Sequence, residues 1–250
     1  MNKIDIINSI FYPRKSFLKA DIKDMKIAVS NEVQVGIRLF LVDENWPTIL
    51  YFHGNAELAQ EYNQIAKFYN EQDINFVVSD YRGYGLSTGL PNIENLHSDA
   101  VKIFDYILSY LKNNNYSNRI VIMGRSLGSA SACEIISKRE KNIDKCIIES
   151  GFATEYPLLD LMNITPESID YSIDDGFQNL SKLKKYKKPI LFIHADMDNI
   201  IPINEAELML KESGSKSKEL LVATEANHNN IIMVLGDKYF KKISKFISTI

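Results

Sequence analysis

The chain has 250 residues and a formal net charge of −3. That length is ample for one sizeable core, and the mildly acidic balance supplies no basic face for nucleic acid. Two cysteines, Cys133 and Cys146, are too few for a disulfide framework and lie in apolar runs, which reads as buried free thiols in a reducing, cytoplasmic setting. Met1–Leu18 breaks its apolar stretch with Asp5 and has no long h-region, and no run approaches 18 apolar residues. Neither a secretory signal nor a membrane span is therefore expected.

In chain order, Met25–Ser30 and Val33–Val42 flank Asn31-Glu32 and predict an antiparallel hairpin. Thr48–Phe52 is a short apolar strand after Pro47. Leu58, Tyr62, Ile65, Ala66 and Tyr69 recur at helical spacing and predict a helix over about Ala56–Asn70. Strand Asn75–Ser79, a glycine-rich loop Asp80–Gly89 and a helix over about Asn92–Lys112 follow. Then come strand Arg119–Met123, helix Ser126–Arg139 and strand Lys145–Glu149. Residues 152–187 break the rhythm with two prolines and the basic run Lys182–Lys188, expected to be a solvated helix end or loop. Regularity returns with strand Pro189–His194, a helix near Asn204–Ser213 and strand Glu219–Ala223. A last helix, Ile231–Ile250, carries Tyr239, Ile243, Phe246 and Ile250 in one stripe. This alternation predicts a mostly parallel, eight-stranded sheet with helices on both faces. Ligands bind such sheets at the carboxyl ends of the strands.

Gly124-Arg125-Ser126-Leu127-Gly128 fits G-x-S-x-G, with an apolar strand before it and a helical pattern after it. A sharp turn there lifts a serine hydroxyl above the sheet, and glycines avoid clashes where strand and helix crowd. A serine in this place can also simply cap a helix. A nucleophilic serine needs a base and an orienting acid. Of the four histidines, His97 lies inside a helix pattern, His53 precedes Gly54 at a strand end, and His194 ends a strand. His228 follows a short loop after the last strand, from which it can reach the serine. For the acid, Asp198 is the first candidate, with Asp196 and Glu149 as alternatives. Two backbone N–H donors are needed for an oxyanion. Leu127 supplies one, and the loop His53-Gly54-Asn55-Ala56 supplies the other through Asn55, or through Ala56 as the near alternative.

These stretches, together with Asp80–Gly89 and Asp198–Pro202, resemble the α/β-hydrolase superfamily, in its compact serine esterase and thioesterase branch. The resemblance runs from about residue 25 to the C-terminus. It implies the α/β-hydrolase fold in one domain over 1–250, with 152–187 as a small cap. It makes Asp198 the triad acid, four residues before Pro202, and gives Asp80–Gly89 a structural role. The chain departs from the pattern at Ala195, where relatives carry glycine, and at Glu225-Ala226-Asn227-His228, where glycines flank the alanine. Asn227 is expected to substitute there, because asparagine tolerates a left-handed backbone.

Leu158, Leu159 and Met162 lie in an apolar run able to line an acyl pocket, or simply to pack on the core. The expected activity is hydrolysis of a small-molecule carboxylic ester or thioester through an acyl-serine. It requires no cofactor, and the sequence has no zinc-type His and Cys spacing, so no metal is expected. Acyl transfer, peptide hydrolysis and a non-catalytic binding protein on the same fold are the alternatives. Membrane association, oligomeric state and the role of Ile4–Phe17 stay open.

Overall fold

The computed structural model describes residues 3–117, 119–173 and 175–249. Met1 and Ile250 thus lie outside the described residues. Eight strands form one sheet: β1 (Asp24–Ala28), β2 (Gln34–Phe40), β3 (Thr48–Phe52), β4 (Asn75–Ser79), β5 (Ile120–Arg125), β6 (Lys145–Glu149), β7 (Ile190–Ala195) and β8 (Lys218–Ala223). Their order is β1-β2-β4-β3-β5-β6-β7-β8. The β1–β2 and β2–β4 pairs are antiparallel, and the rest are parallel. The central strands read as unbroken apolar runs because both faces are covered. Within β3, Leu50 and Phe52 enter one core cluster while Ile49 and Tyr51 enter the other. Strands β5 and β7 alternate the same way.

Nine α-helices are described: α1 (Lys3–Asn8), α2 (Asn63–Asn70), α3 (Ile93–Asn113), α4 (Gly128–Arg139), α5 (Tyr156–Leu161), α6 (Asn179–Lys185), α7 (Ile203–Glu212), α8 (Ile231–Leu235) and α9 (Asp237–Ser248). The first cluster packs the sheet against α3, α4, α6 and α7, and the second against α2 and α9. The Asn92 side chain caps α3 by accepting from the Asn95 N–H at 2.7 Å, which sets the helix start one residue beyond the sequence expectation.

Two predicted helices are interrupted. Residues 56–58 are not helical, since Ala56 has φ 61° and Leu58 is extended. A 3₁₀ turn, Ala59–Tyr62, leads into α2 instead. The last helix is split between α8 and α9 by Gly236, whose φ of 51° and ψ of −133° suit only glycine. The basic run is also not uniformly solvated. Lys184, Lys185 and Lys187 are exposed, but Lys182 is buried, with its ammonium on Glu134 at 2.7 Å and the Phe177 carbonyl at 2.7 Å. Two acceptors compensate its desolvation, so it faces inward. Within 152–187, α5 buries Leu159 and leaves Leu161 exposed, whereas α6 places Leu183 in the core beside α4.

Candidate functional site

Ser126 follows β5 and precedes α4. It has φ 50°, a left-handed conformation that costs an L-residue about 1–2 kcal/mol. Its N–H donates to the Glu149 carbonyl at 2.9 Å, extending the β5–β6 ladder through the turn. Gly124 and Gly128 allow the turn to close. A side chain on Gly128 would collide with the Phe52 carbonyl, and one on Gly124 with the Gly128 carbonyl.

Three of the expected side chains come together in a hydrogen-bonded chain. Ser126 Oγ is 3.1 Å from His228 Nε2, and His228 Nδ1 is 2.7 Å from an Asp198 oxygen. The other Asp198 oxygen accepts from the Ile200 and Ile201 N–H groups at 3.0 and 2.9 Å. Burial works to raise the Asp198 pKa, but the His228 hydrogen bond and charge and the two amides outweigh it, leaving the carboxyl below its ordinary value. All three residues are largely buried, and no helix among the described residues is long and apolar enough to cross a membrane.

The alternative acids lie elsewhere. Asp196 accepts from the Glu225 N–H at 2.8 Å. Glu149 contacts Arg125 and the Tyr239 hydroxyl, and burial raises its pKa. Neither carboxylate bonds to His228. The remaining histidines are also committed. His53 bonds Asp80 at 3.1 Å and the Gly54 carbonyl at 2.7 Å. His194 bonds the Ile201 carbonyl at 2.7 Å, beneath the acid loop. His97 packs against Phe177 and Lys182, and burial, then the Lys182 charge, push its pKa down to about 4. Cys133 and Cys146 are free and buried, and burial pushes the Cys133 thiol up to about 12.

Ser126, Asn55 and Leu127 share the wall of a cavity of about 320 Å³ with Ile10, Tyr12, Leu158, Leu161 and Met162. Asn55 lines it and Ala56 does not, and the Ala56 N–H is taken up by Asn55 Oδ1. Leu158 and Met162 stand where the sequence expectation put them. Leu159 does not: it is buried on the inward side of α5. Leu161 takes its place, because positions 158, 161 and 162 share one helical face.

Several site residues were missed from sequence. Ile10 and Tyr12 belong to an N-terminal strap held by the Asn55 side chain. Asn55 Nδ2 donates to the Ile10 carbonyl at 2.6 Å, and Oδ1 accepts from the Tyr12 N–H at 3.0 Å and the Tyr84 hydroxyl at 2.6 Å. No local pattern signals such a contact across 43 positions. Arg125 was passed over too, although a charged residue at the end of an apolar strand, next to buried Gly124, was a signal. Burial opposes its charge, but Glu57 and then Tyr51 and Glu149 hold its pKa above the ordinary value. The loop before His228 also differs from expectation. Glu225, not Asn227, takes the left-handed conformation, at φ 63°. The Asp196 bond to its N–H holds it there. Ala195 is fully buried within β7, where its methyl group is accommodated.

A family described as serine aminopeptidase, S33 (Hydrolase_4) matches residues 43–165. Protein bem46 of Schizosaccharomyces pombe (strain 972 / ATCC 24843) is 30% identical over 214 residues, 82% of this chain and 68% of that protein. Alpha/beta hydrolase domain-containing protein 17B of Homo sapiens is 26% identical over 206 residues, 80% of this chain and 66% of that protein. The chain thus spans about two thirds of the length of these curated relatives. The solved structure of Est1E from Butyrivibrio proteoclasticus with ferulic acid bound superposes with a TM-score of 0.73 at 19% identity, covering 90% of this chain and 100% of that one. Its shared fold, the sheet order above and the identity to bem46 agree: the chain belongs to the α/β-hydrolase superfamily.

Proposed function

We propose that this protein is a serine hydrolase that cleaves a carboxylic ester or thioester through an acyl-serine intermediate. The observation that carries the reading is the unbroken chain from Ser126 Oγ through His228 to Asp198. His228 Nε2 takes the hydroxyl proton as Oγ attacks the substrate carbonyl carbon, and the carbonyl π electrons move onto oxygen. The N–H groups of Asn55 and Leu127, two residues that line the cavity with Ser126, are the donors in this reading, each contributing about 3 kcal/mol to the transition state. Collapse of the intermediate breaks the bond to the leaving group, which departs with the proton from His228. Water then attacks the acyl-serine, gives its proton to His228, and releases the acid with the serine hydroxyl restored. Asp198, kept ionised, holds His228 in the tautomer whose Nε2 can accept.

The cavity beside Ser126 supports an apolar acyl group. Five of its eight lining residues are Ile10, Leu158, Leu161, Met162 and Leu127, all aliphatic or thioether side chains. Ester and peptide substrates are separable by assay. The test is fluorophosphonate labelling together with a panel of acyl esters, thioesters and aminoacyl amides. Labelling and ester or thioester turnover that both vanish in Ser126→Ala are the expected result. Well-folded wild type that neither labels nor turns over any ester or thioester would sink the proposal.

A further inference from the structure

Hydrolysis by this site needs three loops in register: the turn after β5 carrying Ser126, the loop after β3 carrying Asn55, and the loop after β8 carrying His228. They come from strands that are not all neighbours, since β5 and β8 are separated by β6 and β7. One side chain touches all three. Arg125 immediately precedes Ser126. Its Nη1 bonds Glu57 of the Asn55 loop, its Nη2 donates to the His228 carbonyl at 2.7 Å and to Asn229 Oδ1 at 3.1 Å, and its Nε lies 3.3 Å from Glu149.

Each of those partners is itself fixed. The other Glu57 oxygen accepts from the Gly54 N–H at 3.0 Å and from the Tyr62 hydroxyl, so Arg125 reaches through Glu57 to the start of the Asn55 loop. Glu149 also accepts from Tyr239. The contact with His228 is to its own backbone carbonyl, so a displacement there moves the imidazole with it. The Ser126–His228 bond, at 3.1 Å, has little slack to absorb such a shift.

We infer that Arg125 is a positioning residue, whose guanidinium, bonded at once to Glu57 and to the His228 carbonyl, holds the imidazole against the Ser126 hydroxyl and in register with the Asn55 loop. The inference rests on the serine-hydrolase reading above. The job requires a planar group with donors in several directions. A lysine ammonium is a point charge on a flexible stem and cannot span Glu57, His228 and Glu149 together.

The experiment compares Arg125→Met, Arg125→Lys and the double variant Glu57→Gln/Arg125→Met. It reads kcat and KM on a short acyl ester, the rate of phosphonylation at Ser126, and thermal stability. Arg125→Met strands the Glu57 charge, leaves Glu149 without its cation, and loses stability. The double variant removes the Glu57–Arg125 pair as a whole, while the amide oxygen introduced at position 57 still accepts from the Gly54 N–H and Glu149 keeps the Tyr239 hydroxyl, so most of the lost stability returns. If Arg125 positions the site, kcat and the phosphonylation rate stay down about 10²-fold in the double variant with KM little changed, as a displacement of the order of 1 Å produces. Arg125→Lys recovers only part of that loss. Return of kcat to the wild-type value along with stability would overturn the inference and leave Arg125 a structural ion pair, as would wild-type kcat in folded Arg125→Met or Arg125→Lys. Wild type without esterase activity or labelling would instead fail the reading beneath it, and the inference would fall with it.

Discussion

Asn55 offers a test of how the N-terminal strap is attached to the site. Asn55→Ala keeps the backbone N–H but removes the amide that holds Ile10, Tyr12 and Tyr84. Losing the bond to the Ile10 carbonyl costs about 1 kcal/mol net, and the Tyr84 hydroxyl, on a fully buried residue, loses its acceptor at about 2 kcal/mol more. The Tyr12 N–H keeps one partner, the Tyr84 oxygen at 2.9 Å, and the exposed Ala56 N–H, which also loses Asn55 Oδ1, turns to water, so neither adds much to the sum. The total, about 3 kcal/mol, acts on a local opening of the strap rather than on global unfolding. It converts to roughly 10²-fold faster hydrogen exchange at the Tyr12 amide. Exchange measured at single amides is the assay, with Phe104 in α3 as a core reference that should not change. Because Ile10 and Tyr12 wall the cavity, the preference for acyl-chain length should flatten in the same variant. Unchanged protection over residues 10–14 would refute the claim that Asn55 holds the strap.

Three further outcomes follow from the same structure. The folded-state pKa of His97 is depressed from 6.5 to about 4, so the unfolded chain takes up the proton first. Stability is therefore full above pH 6.5 and is lost as pH falls from there towards 4, by up to about 3 kcal/mol. Urea unfolding at pH 7.5 and 4.5 should show that loss in wild type and not in His97→Gln, and parallel pH dependence in both would contradict it. Asp198→Asn should lower kcat about 10⁴-fold by releasing the His228 tautomer, whereas Glu149→Gln should retain most activity; equal losses in the two would reject the assignment of the acid. Leu159→Ala should cost about 2–5 kcal/mol in denaturant unfolding with the acyl-length profile intact, while Leu161→Trp shifts that profile. A shifted profile in Leu159→Ala would put the wrong face of α5 on the cavity.

Much of this was legible in the sequence because the relevant signals are local. Strands β3, β5, β6 and β7 announce themselves as apolar runs; β6 ends on Glu149, and the carboxyl ends of the other three carry the loops of Asn55, Ser126 and Asp198. Ser126, Asp198 and His228 could be chosen because each follows a strand in an order that this sheet topology brings to one edge. What stayed hidden depends on backbone conformation or on distant partners. Apolar spacing over 56–70 looked helical, but spacing does not register that Ala56 is left-handed. Glu225 takes its left-handed conformation with its N–H bound to Asp196, 29 positions away, a partner no local pattern reveals. Lys182 reads as part of a solvated run until Glu134 and the Phe177 carbonyl are seen around it. The exchange of Leu159 for Leu161 in the cavity was within reach, since helical spacing alone separates the two faces of α5.

A serine-hydrolase mechanism at this site requires that Ser126 become acylated during turnover. Rapid acid quenching of the enzyme with a short-chain nitrophenyl ester, followed by peptide mass spectrometry, tests it most directly. An acyl group on the Ser126 hydroxyl that forms with a burst of nitrophenol and is absent in Ser126→Ala is the expected result. Steady ester turnover that persists in Ser126→Ala, or an acyl group carried on any other residue, would contradict it.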